Sequence, residues 1–411
     1  MALNFIWIAF FLIAFAVALV RLIFFGDTEI FKNIMDGVFD SAATSVQISI
    51  GLIGVISLFL GFMNIGEKAG AVNFLARIIG PFFGKLFPEI PRNHPALGHM
   101  VMNFAANLLG LDNAATPFGL KAMQSLQELN PSKDTASNAQ IMFMVLHASG
   151  LVLIPVSIIA QRAILKSADP TSVFIPCMIA TFVATVVALS VVSAYQRINL
   201  FQPLILLWIG GISAFIAGII YYLHVHPGGI NLFSKVFSNG LILLLFVLFI
   251  TAGLIRKINV YDAFIDGAKG GFEVAVKIIP YLVGMLVAIS VLRNCGVFDF
   301  LIQGFSWIFS HIGINTDFVP ALPTALMKPL SSSGARAMMI TTMKQYGPDS
   351  FPGLVSCVVQ GSSDAIFYIV ALYFGSVGIK KTRYAVPSAL LADLAGIVTA
   401  ILISYFFFHH R

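Results

Sequence analysis

The sequence predicts an all-α polytopic membrane protein, built from two repeated units and about nine full crossings. Three observations predict it. Hydrophobic residues make up 58% of the 411 positions and charged residues only 10%, with mean hydropathy +0.93, a composition that excludes an ordinary soluble enzyme. Apolar runs of about 20 residues, the length that spans a bilayer core of roughly 30 Å, recur along the whole chain. Short polar motifs in the first half return in the same order in the second.

The elements follow in order. Residues 5–25 have no Lys or Arg before them and no small-residue cleavage site after them, so they read as a retained crossing and not a removed signal peptide. Residues 27–41 place Ile30, Phe31, Ile34, Met35, Val38 and Phe39 on one face and Asp36 and Asp40 on another, the pattern of an amphipathic helix lying in the interface. Its counterpart is 261–277. Further crossings are expected at 44–63, 138–160, 170–195, 201–223, 237–255, 278–293, 353–376 and 384–408. Residues 67–88 are too polar to span simply, and 95–129 read as a re-entrant hairpin.

The repeat rests on these matches. Met35-Asp36-Gly37 returns as Ile265-Asp266-Gly267, and Gly70-Ala71-Val72-Asn73-Phe74-Leu75 as Gly296-Val297-Phe298-Asp299-Phe300-Leu301. Lys121-Ala122-Met123 returns as Arg336-Ala337-Met338, and Ala148-Ser149 as Gly361-Ser362. Order is kept while the offset shrinks, as small deletions in a duplicated unit would produce. If 67–88 skims the interface, an odd number of crossings separates Asp36 from Asp266 and the second unit is inverted. With the amino terminus in the cytoplasm, most loop cations, among them Lys68, Arg77, Arg197, Arg256, Lys380 and Arg383, fall inside. The turn at 224–229 falls outside, as do Arg162 and Lys166, which are the cost of this topology.

Each unit has a polar break. One is Leu111-Asp112-Asn113-Ala114-Ala115-Thr116-Pro117, the other Lys328-Pro329-Leu330-Ser331-Ser332-Ser333-Gly334. Backbone left unpaired at membrane depth is tolerated only inside protein or against a water-filled cavity, and paired interruptions are the best sequence pointer to a transporter's binding site. Pro117 and Pro329 each suit the first turn of a half-helix. Asp364, in Gln360-Gly361-Ser362-Ser363-Asp364, lies within an apolar run, where a carboxylate is expensive unless paired, protonated or wet. The expected binding residues are Asn113, Thr116, Ser332, Ser333, Gln360, Ser362 and Asp364, with Lys121 or Arg336 balancing charge. Asp393, beside Ala395 and Gly396, reads instead as a helix-packing group. His147 reads as either a proton carrier or a buried, satisfied histidine.

Several chemistries find no support. Cys177, Cys295 and Cys357 lack metal-like spacing, and no His-Glu-x-x-His, phosphate-loop or nucleophile-elbow motif is present. No catalytic residue, metal or cofactor is expected, and the net charge of +6, spread over short loops, suits lipid and not nucleic acid.

Phe87-Pro88-Glu89-Ile90-Pro91, His94-Pro95-Ala96-Leu97-Gly98 and Asn113-Ala114-Ala115-Thr116-Pro117 resemble the spore maturation A family. Lys277-Ile278-Ile279-Pro280-Tyr281, Lys328-Pro329-Leu330-Ser331-Ser332-Ser333 and Tyr373-Phe374-Gly375-Ser376-Val377-Gly378 resemble the spore maturation B family. The resemblance implies a fusion, residues 1–197 and 198–411, with nucleoside-recognition Gate cores at 28–165 and 258–380. It also implies kinship with concentrative nucleoside transporters, although 113–117 lack the acid of their hairpin motif. The expected function is an inner-membrane transporter-like protein that moves or binds a small polar solute, nucleoside-like or anionic, with a coupling cation or proton and a homo-oligomeric state as further expectations. The alternative is a non-transporting membrane scaffold.

Overall fold

The computed structural model describes residues 2–91, 94–108, 112–225 and 230–409. Among them the chain is helical throughout, with no strand beyond an isolated bridge between Thr135 and Lys381. The first half runs α1 (Ala2–Phe25), α2 (Ile30–Lys68), α3 (Ala71–Leu86), α4 (Pro95–Leu108), α5 (Asp112–Leu129), α6 (Asn138–Ala148), α7 (Val156–Ile164) and α8 (Phe174–Gln196). After α9 (Pro203–Val225) the same order of long and short helices returns as α10 (Ile230–Ile255), α11 (Val260–Asn294), α12 (Val297–His311), α13 (Leu322–Met327), α14 (Ser332–Tyr346), α15 (Phe351–Gln360), α16 (Ile366–Ser376) and α17 (Ala385–Phe408). Gly70 and Gly296, matched in sequence, precede α3 and α12 at φ of 88° and 92°, a backbone conformation that residues with a Cβ rarely adopt. Among the described residues, six helices are long and apolar enough to cross a membrane. The chain is a multi-pass membrane protein.

Two expectations change. The amphipathic stretch at 27–41 is not a separate interfacial helix; it continues into the crossing as α2, 39 residues long, or on the order of 58 Å. No Pro interrupts it, and Ser45 and Ser49 return their hydroxyls to the carbonyls of Ser41 and Ser45 (2.6 and 2.8 Å). Its 35-residue counterpart α11 passes through Pro280 without ending. Second, 138–160 and 353–376 are not single crossings. Each is broken in the middle, at 149–155 between α6 and α7 and at 361–365 between α15 and α16.

Equivalent helices of the two halves pair with each other, and they do so antiparallel. Ser290 Oγ donates to the carbonyl of Gly37 at one end (2.9 Å), and Asn64 Nδ2 donates to that of Ala263 at the other (2.6 Å). The polar ends of α2 and α11 thus lie along each other's length, which gives them hydrogen-bond partners that a helix flat in the interface would seek in water. Small residues allow the approach: a methyl on Gly271 would meet the Ser57 Cα at 2.7 Å, and one on Gly267 the Gly61 Cα at 3.1 Å. α8 and α17 pair the same way, with the Tyr195 and Tyr384 rings stacked at 4.5 Å.

Two loop ties join the halves crosswise. Arg162, in the last turn of α7, is 0% exposed and donates to the carbonyls of Asp169, Pro170 and Pro348, to Ser167 and Ser172, and to Asp349 Oδ1 at 3.0 Å. The cation that the charge rule places on the wrong side is therefore spent inside the fold. The mirror tie places Asp134, ahead of α6, against the loop after α16: the amides of Lys380 and Lys381 donate to its carbonyl, and Lys381 Nζ lies 3.4 Å from its carboxylate.

Gly271→Val is expected to lower thermal stability in detergent by about 1–3 kcal/mol through overpacking. Gly270→Ala, which meets only Leu60 Cδ1 at 3.6 Å, leaves it unchanged. Arg162→Met should be the costlier change, about 3–5 kcal/mol, because Asp349 and the carbonyls lose a buried cation. The carboxyl of Asp349 is pushed up by burial, but bonds from Ser167 and Ala168 and the Arg162 cation outweigh this and hold it below its usual range. With its folded value depressed, this tie is fully present above the unfolded value near ~3.9 and is lost as pH falls through the folded value. Hydrogen exchange at the Ala168 amide, which donates to Asp349 Oδ2 at 2.8 Å, should accelerate only in that acid window.

Candidate functional site

The two broken helices and two hairpins converge. The breaks bond directly to each other, the amide of Asp364 donating to the carbonyl of Ala148 at 2.8 Å. Each break also bonds its own half's hairpin: Leu153 N donates to the carbonyl of Leu108 (3.0 Å), and Phe367 N to that of Pro329 (3.2 Å). Carbonyls and amides freed by interruption thus find partners in other interrupted segments, the condition for irregular backbone at membrane depth.

Between them lies a cavity of about 310 Å³. Its wall is set by Thr116 of α5, Ser332 and Arg336 of α14, and Lys328 at the tip between α13 and α14, with Gln360, Ser363 and Asp364 from the second break. Asn107, His147 and Gly150 are among the residues that line it from the first half. Asp364 is exposed and Tyr368 is 58% exposed, so the cavity reaches the surface. Lys328 is 2% exposed, and its Nζ donates to the carbonyl of Gln360 at 2.6 Å. Gln360 Oε1 is buried with no hydrogen-bond partner among the described residues, a cost of about 1–3 kcal/mol unless a ligand or water fills the gap.

The predicted residues therefore separate. Thr116, Ser332, Gln360, Asp364 and Arg336 line the cavity. Ser333 and Ser362 do not: Ser333 Oγ lies 3.1 Å from Ser331 Oγ at the hairpin tip, and Ser362 is fully buried with its hydroxyl on the carbonyl of Val359. The Asn113 side chain and the tip at 109–111 lie outside the described residues, as does the turn 226–229. Lys121 is exposed away from the cavity. The reason is helical register: Lys121 follows Thr116 by five positions, a rotation of about 140°, whereas Arg336 follows Ser332 by four, about 40°. Pro117 likewise stands inside α5 and not at its start, since that helix begins at Asp112. Pro329 precedes α14, whose cap is Ser331, its Oγ accepting from the Gly334 amide at 3.1 Å.

Hydropathy misses the first break, because Gly150 and Pro155, its sequence signal, sit in an apolar run of crossing length. Spacing misses the support behind it as well. His147 Nδ1 lies 2.8 Å from Asn107 Nδ2 and 2.9 Å from Asn103 Oδ1, and its Nε2 lies 3.1 Å from Tyr373 Oη. Asn103 Nδ2 then donates to the carbonyl of Ala115 (2.6 Å), holding the first hairpin closed. This chain of hydrogen-bonded groups links α4, α5, α6 and α16, with Asn107 and His147 on the cavity wall and Asn103 and Tyr373 behind it.

A long-helix frame that holds two helical hairpins and two broken helices around a polar cavity defines a multi-pass helical membrane protein. The chain belongs to the nucleoside-recognition (Gate) family, whose model matches residues 49–166 and 275–380. It is similar to spore maturation protein B of Bacillus subtilis (strain 168), 47% identical over 151 residues that make up 37% of this chain and 83% of that protein. It is also similar to spore maturation protein A of the same organism, 36% identical over 186 residues, 45% of this chain and 91% of that one.

Gly119, on α5, tests the support directly. A methyl there would press on the Tyr373 ring, 2.6 Å from Cζ, and Tyr373 is 0% exposed. Gly119→Ala is expected to cost about 1–3 kcal/mol in thermal unfolding, while Gly80→Ala, with open space around it, costs nothing.

Proposed function

We propose that this protein is a transporter-like carrier of the inner membrane that binds a small polar solute in the cavity between its hairpins and broken helices. The observation that carries the reading is Asp364: a carboxylate in an apolar segment, lining a polar cavity and held there by the bond of its amide to the Ala148 carbonyl of the other half. Ionisable groups at membrane depth mark solute or ion pathways. Discontinuous helices at a repeat interface are where secondary transporters place their sites.

Antiparallel pairing of α2 with α11 and of α8 with α17 supports an inverted second unit, since a two-fold axis in the membrane plane brings equivalent crossings together in opposite directions. The bound species is non-covalently held, with no catalytic step. Membership of the nucleoside-recognition family makes a nucleoside-like solute one candidate class.

The crosswise loop ties favour the competing reading, a scaffold whose halves are locked. Solute flux separates the two. Proteoliposomes holding the full chain and a metabolite mixture should show uptake or efflux that Asp364→Asn and Arg336→Gln each reduce by about tenfold or more, the loss expected of one hydrogen bond to a charged group. Equal flux in wild type, variants and empty liposomes, under every ion gradient, contradicts the transport reading.

A further inference from the structure

One buried acid lies just outside the cavity wall. Asp393, on α17, is 3% exposed, and its carboxylate accepts a hydrogen bond from Ser363 Oγ. Ser363 itself lines the cavity. The sequence reads Asp393 as a packing residue, yet a carboxyl adds nothing to close packing that Ala or Ser would not. No cation pairs with it among the described residues: the ion pairs formed there involve other carboxylates.

Lys328 makes the complementary observation. Its ammonium is buried and donates to a backbone carbonyl, with no carboxylate in ion-pair contact among the described residues. The charged groups on and behind the cavity wall, among the described residues, are Lys328, Arg336, Asp364 and Asp393. The other titratable side chains on elements packed around α17 are His147 of α6, Tyr368 and Tyr373 of α16, Tyr195 of α8, and the buried thiols Cys177 of α8 and Cys357 of α15. His147 and Tyr373 contact each other and neutral amides.

We propose that the cavity takes up a small organic monoanion and one proton together, the anion between Lys328 and Arg336 and the proton on the Asp393 carboxyl by way of Ser363. This deepens the solute-binding reading and rests on it. Charge balance couples the two passengers. With both carboxyls ionised, the described charges of the empty site sum to zero: two cations, two carboxylates. Binding a monoanion alone leaves it at minus one, and protonating Asp393 alone leaves it at plus one. Loading both returns it to zero, because the proton converts one carboxylate to a neutral acid as the anion brings the lost negative charge back. Lys328 and Asp393 are only 2% and 3% exposed, and an uncompensated charge on groups so far from water is costly, so the half-loaded states are disfavoured and anion and proton travel as a pair.

The orphan acceptor Gln360 Oε1 and the exposed Asp364 add a second requirement. Both call for donors on the ligand, so the anion carries hydroxyl groups beside its carboxylate. A neutral acid group at 393 can in turn donate where the carboxylate could only accept.

The test is uptake into proteoliposomes holding the full chain, with labelled lactate, glycerate and gluconate as anions and glycerol, glucitol and uridine as uncharged controls. An inward proton gradient is imposed with and without a potassium diffusion potential. One or more hydroxy acids should accumulate with the proton gradient and ignore the potential, because the loaded site is neutral. Lys328→Gln should weaken half-saturation for the anion by about 10–100-fold. Asp393→Asn, fixed in a neutral form, should still exchange anion for anion across the membrane but lose the gradient-driven component. Should that variant fail to fold, Ser363→Ala gives the same readout, slowing proton-driven uptake while exchange persists.

Uptake of uncharged solutes without the acids overturns the anion assignment and leaves the transport reading standing. Gradient-driven uptake that persists in both Asp393→Asn and Ser363→Ala overturns the proton site. Movement of neither class under any condition overturns both readings.

Discussion

Everything in this structure depends on where interrupted backbone finds its partners. Among the described residues, three segments around the cavity stop being helical, at 149–155, 328–331 and 361–365, and a peptide group left unpaired in hydrocarbon costs several kcal/mol. The chain answers by bringing the interruptions together: Asp364 N to Ala148 O, Leu153 N to Leu108 O, Phe367 N to Pro329 O. No half can do this alone, since the first bond crosses between them. The cavity is what remains once those bonds are made, and so its polar side chains come from both halves.

The long helices exist to hold that convergence. α2 and α11 pair along their length through glycines and through hydrogen bonds at each end, and the crosswise ties of Arg162 with Asp349 and of Lys381 with Asp134 fix the outer loops. The two ties use the same logic with unequal strength. Arg162 is wholly buried among six acceptor atoms, whereas Lys381 is 71% exposed, and exposed pairs contribute only about 0–1 kcal/mol. The same inequality appears at the centre, where, among the described residues, the first half gives amides, a threonine and a histidine and the second gives both cations and both carboxyls.

Much of this is legible in the sequence, for physical reasons. Hydropathy gives the membrane class, because about 20 apolar residues in a row match the thickness of a bilayer core. Matched Asp36 and Asp266, and Gly70 and Gly296, give the repeat, and the two glycines share a left-handed backbone. Asp364 stands out because charge in an apolar run is expensive. Other features are hidden by three-dimensional context. Continuity of α2 through 41–44 depends on an antiparallel partner more than two hundred residues away. Lys121 and Arg336 align in sequence but differ by about 100° in helical register relative to their cavity residues. The break at 149–155 contains no charged residue, so its interruption is written only in Gly150 and Pro155. Asp393 reads as packing because the hydroxyl that joins it to the cavity is 30 residues away in sequence.

The central claim is that Asp364 faces a water-filled cavity within the span of the membrane. Thiol accessibility measures this most directly, because Cys177, Cys295 and Cys357 are all buried and give little background. Asp364→Cys, in intact membranes, is expected to react with a small, charged, water-soluble thiol reagent, and Ala392→Cys, at a fully buried position next to Asp393, is expected not to. Failure of the residue 364 thiol to react from either side of the membrane, while the denatured protein labels fully, would contradict the account.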